Sequence, residues 1–256
     1  MNLAVTNLSL TLVMGLVLIA LWIGWHEQLG VDKDIIIGVI RAVIQLTVVG
    51  YVLKYVFRID NLLLTLVLML IIVFNAADNA RKRSKGFEGA FWISFIAILT
   101  STFVVLSVLV LSGSIKMTPS QIVPISGMVA SNSMVAIGLC YRNMYAMFRD
   151  QRQQVLERLA LGADIKNASR GILRETIRTG MSPTIDSSKT VGLVSLPGMM
   201  SGLIIAGVDP VKAIKYQIMV TFMLLATTSL ASFIACYLAY KKYYNSRMQL
   251  IDLNGK

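Results

Sequence analysis

Acidic side chains, histidines and cysteines are scarce in this chain: 256 residues carry 13 Asp and Glu, one His and two Cys. A water-soluble domain devotes about a quarter of its residues to charge, and here the share is 14%. With His26 alone at the end of an apolar run beside Glu27, no HExxH or paired-histidine site exists, and no CxxC pair occurs. Cys140 and Cys236 lie in or at the end of apolar runs, which reads as two small buried hydrophobes rather than a disulfide framework. Strand-like alternation is missing, which favours helices over a closed barrel. Ser188-Lys189-Thr190 echoes the end of a phosphate-binding loop, but the Gly-x4-Gly-Lys that such a loop requires is absent, so the chain carries no ATP site of its own.

What the chain has in abundance is continuous apolar sequence. It is 56% hydrophobic, and its charges cluster. A hydrocarbon core about 30 Å thick needs roughly 20 helical residues to cross it, and several windows meet that length. The expected fold is all-α: a polytopic transmembrane helical bundle of about seven spans, forming one membrane domain over 1–256. The spans fall near Leu3–Trp25, Ile35–Phe57, Leu62–Ala77, Ala90–Leu111, Ile122–Tyr141, Val191–Gly207 and Ile214–Tyr240. The third and sixth are short. The first has no basic region before it and no small-x-small site after it, so it reads as a retained helix rather than a signal peptide.

A net charge of +11 suits either nucleic acid or the cytoplasmic face of a membrane, and its distribution decides. Arg81–Lys85 holds four basic residues, Arg142–Lys189 nine, the tail from Lys241 four, and the first connection only Lys33. The alternate set holds Lys54, Arg58, Lys116, Lys212 and Lys215, with Arg41 inside the second span. A division of 18 against 5 is the signature of cytoplasmic loops, so a bilayer is the expected partner and nucleic acid is not. It predicts an N-terminus outside and a C-terminus in the cytoplasm.

The cytoplasmic segment 142–189 is patterned for helices. Val155, Leu156, Leu159 and Leu161 follow helical spacing, Gly162 is placed to close that helix, and Asp164 to cap the next. The second helix, from Ile165 to about Gly180, carries Ile165, Ala168, Ile172, Leu173 and Ile177 on one side. Lys166, Arg170, Arg174 and Arg178 occupy the other, and Ser182-Pro183 is expected to break or bend the chain. Such a pattern suits either an interfacial helix with its arginines at lipid headgroups or a docking knob whose small Leu161-Gly162-Ala163-Asp164 turn enters a partner's groove.

Beyond it, Ser187–Gly207 starts polar and then carries Ser195, Pro197, Gly198, Met199, Met200, Ser201 and Gly202 where a plain anchor would carry leucines. Those residues suit a segment that packs closely, bends or lines a pathway.

Leu159-Ala-Leu-Gly-Ala-Asp164 followed by Ile172-Leu-Arg-Glu175 resembles the cytoplasmic coupling helix of ABC-transporter permeases. Thr184–Ile204 together with Asp209–Met223 is similar to the bacterial iron-exporting ABC permease family, which also contains plant permeases linked to aluminium tolerance. The likeness extends to Arg41–Tyr51, Phe74–Ala77 and Pro124–Met128, and so covers nearly the whole chain. It implies a permease subunit of an ATP-driven exporter of iron or a related metal in the bacterial inner membrane, working as a homodimer. ATP and Mg²⁺ would sit on a separate cytoplasmic ATPase. The ATPase-coupling residues it implies are Leu156, Glu157, Leu159, Leu161, Gly162, Ala163, Asp164 and Glu175.

Polar groups within spans are the remaining candidates. Arg41 and Gln45 share a helix face, as a snorkelling cation and an interhelical hydrogen-bond donor. Asn75, Asp78 and Asn79 read as a solvated helix end. Asn132 and Ser133 suit a pathway or an interhelical hydrogen bond. Asp186, with Ser187 and Ser188, can receive a cation or simply pair with Lys189. Asp186, Met199 and Met200 are weak metal ligands at best, since iron(II) favours oxygen and imidazole and methionine is common core filler. An ion-driven carrier would call for membrane-centred carboxylates and inverted repeats, neither of which is evident. An intramembrane enzyme using Ser188 and Lys189 fares worse, because adjacent side chains on a helix point about 100° apart.

Overall fold

A computed structural model describes residues 7–59, 61–84 and 87–251, so Leu3–Thr6 of the first expected span, Lys85 and the tail 252–256 lie outside the described residues. The chain divides into two compact units, Met1–Ile59 and Asp60–Lys256. In the first unit, α1 (Asn7–Val13) and α2 (Gly15–His26) form one apolar run, Leu8–His26, followed by α3 (Asp32–Ile59). Both runs are long and apolar enough to cross a membrane. At their junction Gly24 leaves room for the carboxylate of Asp32, which a Cβ would strike.

The second unit contains α4 (Leu62–Arg81), α5 (Ala90–Leu111), α6 (Pro119–Asp150), α7 (Arg152–Ala160), α8 (Ile165–Ala168), α9 (Arg170–Thr190), α10 (Gly198–Ile205) and α11 (Pro210–Ala239). A 3-10 turn, Tyr240–Tyr243, follows. Side-chain caps set several starts: Asn61 accepts the Leu63 N–H at 2.8 Å, and Asp209 accepts the Lys212 N–H at 3.1 Å ahead of Pro210. Helix α6 is the hub on which α4, α5, α9 and α11 pack. Small residues make these approaches close, among them Ala77, Ala97, Ala130, Ala136, Ala231 and Ala235, all fully buried or nearly so. Buried hydroxyls cross between helices as well, with Ser94 to Tyr141 at 2.9 Å and Ser101 to Ser133 at 3.2 Å.

Five expectations change. Among the described residues six stretches, not seven, are long and apolar enough to span. Val191–Gly207 is not a single crossing helix: Gly192 turns the chain at φ +84°, Pro197 precedes a new start, and α10 has eight residues, about 12 Å. The third span runs to Arg81, 20 residues, and so has the length to cross. Helix α6 continues nine residues past Tyr141, and its 32 residues reach about 48 Å, well beyond a 30 Å hydrocarbon layer. Last, Ser182-Pro183 does not end the basic helix. Helix α9 runs on to Thr190 with Pro183 inside it, and the break falls earlier, at Ser169.

Candidate functional site

Two features of the second unit are built for work, and α9 connects them. The first is the α7–α8 turn. Gly162 sits at φ +88°, where a side chain would be strained, and its N–H donates to the Leu159 carbonyl at 3.0 Å. The Ala163 N–H donates to the Arg158 carbonyl, also at 3.0 Å. This pair of bonds is a Schellman closure. One residue on, the Asp164 carboxylate accepts the Asn167 N–H at 2.9 Å and opens α8. Gly162 and Asp164 therefore hold the structural places that their residue types indicate. Immediately before Gly162, Leu161 stands 87% exposed at the apex. Leu156, Glu157 and Leu161 face outward, Leu159 and Ala163 are half-buried, and Val155 is buried beneath them. Glu175 is exposed on α9, beside Arg178 at 4.0 Å.

The base of this knob is tied down. The Arg158 guanidinium donates to the Ala168 carbonyl at 3.2 Å, and Arg152 to that of Ile251 at 2.9 Å. Ser169 and Tyr244 hydroxyls meet at 2.6 Å in a buried position, while Tyr243 stacks on Phe148 at 4.4 Å. Burial raises the Tyr244 phenol above its ordinary value, against a smaller lowering by the Ser169 hydrogen bond. The stretch after α11 is thus packed against the root of the knob, a role the sequence pattern gave no sign of.

From the knob, α9 runs antiparallel along α6 with Ile172, Leu173, Thr176 and Gly180 buried, while Arg170, Arg174 and Arg178 stay exposed. Asn143 of α6 donates to the Thr179 hydroxyl at 3.1 Å. Gly180 lies so close to Cys140, Ser232 and the Ala136 carbonyl that no Cβ fits without movement. Cys140 and Cys236 are free and buried.

The second feature begins there. A cavity of about 290 Å³ lies among α6, α9, the Val191–Pro197 turn and α11. Of the sequence candidates it brings together Asn132, Ser187, Ser188, Ser195 and Pro197. It leaves out Ser133, which is spent on the bond to Ser101, and Asp186, which is exposed and paired with Lys189 at 3.2 Å. Gly198, Met199 and Met200 are not among its lining residues, and Met199 packs on the apolar cluster around Val220 and Met223. Sequence reasoning missed Thr184, Gln217, Thr221 and Thr228. A signal existed: Gln217, Thr221, Leu224 and Thr228 recur at the spacing of one helix face.

Elsewhere the polar residues behave structurally. Asp78 pairs with Arg81 at 2.7 Å and Lys82 at 2.8 Å, Asn75 and Asn79 donate to their own helix, and His26 meets Glu27 at 3.1 Å. Arg41 and Gln45 are exposed on α3. Among the described residues no three His, Cys, Asp or Glu side chains gather to hold a metal ion.

The family described as Uncharacterised protein family (UPF0014) matches residues 7–244. The chain belongs to this family. It is 58% identical to the "Probable iron export permease protein FetB" of Escherichia coli (strain K12), over 96% of this chain and 95% of that protein. The "UPF0014 membrane protein YjkA" of Bacillus subtilis (strain 168) is 38% identical over 95% of this chain and 97% of its own. "Protein ALUMINUM SENSITIVE 3" of Arabidopsis thaliana is 31% identical over 91% and 86%. No solved structure matches the chain. With its apolar helices, the chain is an integral membrane protein of this family.

Proposed function

We propose that this chain is the membrane permease of an ATP-driven exporter of iron or a related metal, docked through the Leu156–Asp164 knob to a separate cytoplasmic ABC ATPase. The observation that carries the reading is Leu161, an apolar side chain held in water at the tip of a turn closed by Gly162 and Asp164. A single exposed leucine is ordinary on a protein surface; this one carries weight through its place, at the apex of a turn fixed by Gly162 and Asp164 in the segment that resembles the coupling helix of ABC permeases. The name of the Escherichia coli relative supports the cargo. ATP and its Mg²⁺ belong to the ATPase, which acts as a pair and so calls for two permease copies. The single membrane domain over 1–256 lies in the bacterial inner membrane, N-terminus outside and C-terminus in the cytoplasm, as the basic loops direct; with six long spans this orientation requires α9, the Val191–Pro197 turn and α10 to make the remaining crossing together.

Leu161→Asp leaves the buried face of α7 untouched, and Gly162→Trp adds bulk where no neighbour lies within 4 Å, with the strain of a side chain at φ +88° confined to the turn. Both should abolish co-purification of the ATPase while the permease remains folded. Unchanged co-purification of both variants would end the docking assignment. The interruption between α9 and α10 also favours a second reading, because ion-driven carriers bind substrate at broken helices. Transport into vesicles that hold neither ATP nor the ATPase would select it.

A further inference from the structure

On another side of the second unit, α5 and α11 leave a groove of about 490 Å³ between them. Its floor is Val105, Leu109 and Met223, all buried, and Val108, Ile218 and Phe222 stand exposed along its rims. The two helices run antiparallel, since the Lys242 side chain, just beyond α11, lies against Gly89, just before α5. Ser114, past the end of α5, and Lys215, near the start of α11, therefore share one end of the groove. They are its only polar lining, and the track from there to Val104 and Leu230 is apolar. Ser112 donates to the Leu109 carbonyl at 3.0 Å and so accepts from Ser114 at 2.8 Å, which leaves Lys215 as the donor for an anion.

Apolar residues facing lipid are ordinary in a membrane protein; a concave apolar track that ends in an unpaired cation is not. Its length is that of one leaflet. From Lys215 to Leu230, α11 rises about 22 Å at 1.5 Å per residue, and a leaflet with its headgroups is half of about 40–45 Å. Charge selects the occupant. The α5–α6 loop and the first turns of α11 supply Lys116, Lys212 and Lys215 against one carboxylate, Asp209. None of the three lysines has an ion-pair partner among the described residues. A second copy related by a two-fold axis would set this positive excess against itself, whereas a lipid phosphate neutralises it.

We propose that the α5–α11 groove binds one anionic phospholipid, with an acyl chain along the track toward Leu230 and the headgroup phosphate on the Lys215 ammonium. Phosphatidylethanolamine fits less well, because its headgroup brings an ammonium of its own toward the three lysines; phosphatidylglycerol brings none. The site depends neither on the ATPase docking nor on the cargo proposed above. The proposed orientation serves only to name the leaflet, which is the outer one.

The test uses the full-length permease, purified in detergent without an ATPase and stripped of co-purified lipid. Native mass spectrometry follows its titration with phosphatidylglycerol and, separately, with phosphatidylethanolamine of the same acyl chains. The expected result is one phosphatidylglycerol per chain, bound ahead of all others and more tightly than phosphatidylethanolamine. Lys215→Gln weakens that first binding about fivefold, the effect of one lysine at a lipid phosphate, and narrows the preference between the two lipids. Ala226→Trp fills the groove from an exposed position and removes the site, while Phe103→Trp, on α5 but outside the groove, leaves it. All three positions are exposed, so the variants should melt with the parent. Unsaturable lipid attachment to the parent, or parental affinity in Lys215→Gln or in Ala226→Trp, would each overturn the proposal. So would an Ala226→Trp chain that keeps its lipid but no longer pairs with a second copy, because the groove would then be a protein interface.

Discussion

Helix α9 contains two glycines whose replacement by alanine should shift stability in opposite directions, because one lies in open space and the other in a three-helix junction. At Gly171 the nearest atom to an added Cβ is the end of Arg158, 3.8 Å away. Alanine there gains helix propensity and loses nothing, about 0.5–1 kcal/mol of stabilisation. At Gly180 the same methyl would lie 2.6 Å from the Ser232 hydroxyl oxygen and 3.2 Å from the Ala136 carbonyl, with the Cys140 sulfur nearer still. The Ala136 oxygen is backbone in the hub helix and cannot rotate away, so α9 itself must move. Overpacking of this kind costs about 1–3 kcal/mol, against a propensity gain near 1 kcal/mol. The net is a destabilisation of up to about 2 kcal/mol. For a chain of this size about 1 kcal/mol moves the melting temperature by roughly 2–4 °C. Thermal unfolding of the detergent-purified protein should therefore show Gly171→Ala melting a degree or more above the parent and Gly180→Ala several degrees below it. If the two variants shift in the same direction, the junction is not packed as described, and the argument from close helix approach fails.

Asp164→Ala removes the only side-chain cap of α8 and should cost about 1 kcal/mol, read as faster amide exchange at Asn167 and Ala168. Tyr244→Phe leaves the buried Ser169 hydroxyl without its partner and should cost about 1–2 kcal/mol near neutral pH. Burial raises the Tyr244 phenol in the folded state, so its contribution is complete below the unfolded value near 10 and is lost as pH climbs through the folded one. Melting curves at pH 8 and above pH 10 should show the gap between parent and Tyr244→Phe narrowing in alkali; a gap that widens contradicts that linkage.

Much of this architecture was legible in the residues, because the bilayer imposes a simple rule: uninterrupted apolar runs become helices. The knob was legible for a different reason. Gly162 and Asp164 do local backbone work that few other residue types can do, so the turn between them could be placed to the residue. The sixth span was misjudged because hydropathy registers solvent preference and not continuity. A Gly-Leu-Val-Ser-Leu-Pro stretch is apolar enough to cross, yet its φ-positive glycine and its proline interrupt the helix. The cavity was half legible. Serines beside a Pro-Gly step drew notice, whereas Gln217 and Thr221 sat within an apolar helix whose meaning depends on what α6 and α9 bring opposite it. Asp186 attracted suspicion as the one acidic group nearby, and tertiary structure turned it outward to Lys189.

The two features belong to one helix, and the way α9 is built assigns its halves different tasks. The half nearest the knob is clamped: Ile172, Leu173 and Thr176 are buried, and Asn143 holds Thr179 from the side. The far half is not. Past Gly180 no residue of α9 is fully buried, and Pro183, Thr184, Ser187 and Ser188 form cavity wall instead of core. Between them Pro183 supplies no N–H for the Thr179 carbonyl, so the helix loses one rung just where packing gives way to cavity. A displacement at Leu161 would travel through the clamped half as through a rod and bend at the proline. The wall carrying Ser187 and Ser188 would then move relative to Asn132 and Gln217, which stay on α6 and α11. On the proposed docking, that relative movement is what a change at the ATPase has to accomplish. The cavity's shape is therefore set by where α9 stands, because one of its walls moves with the knob and the opposite walls do not.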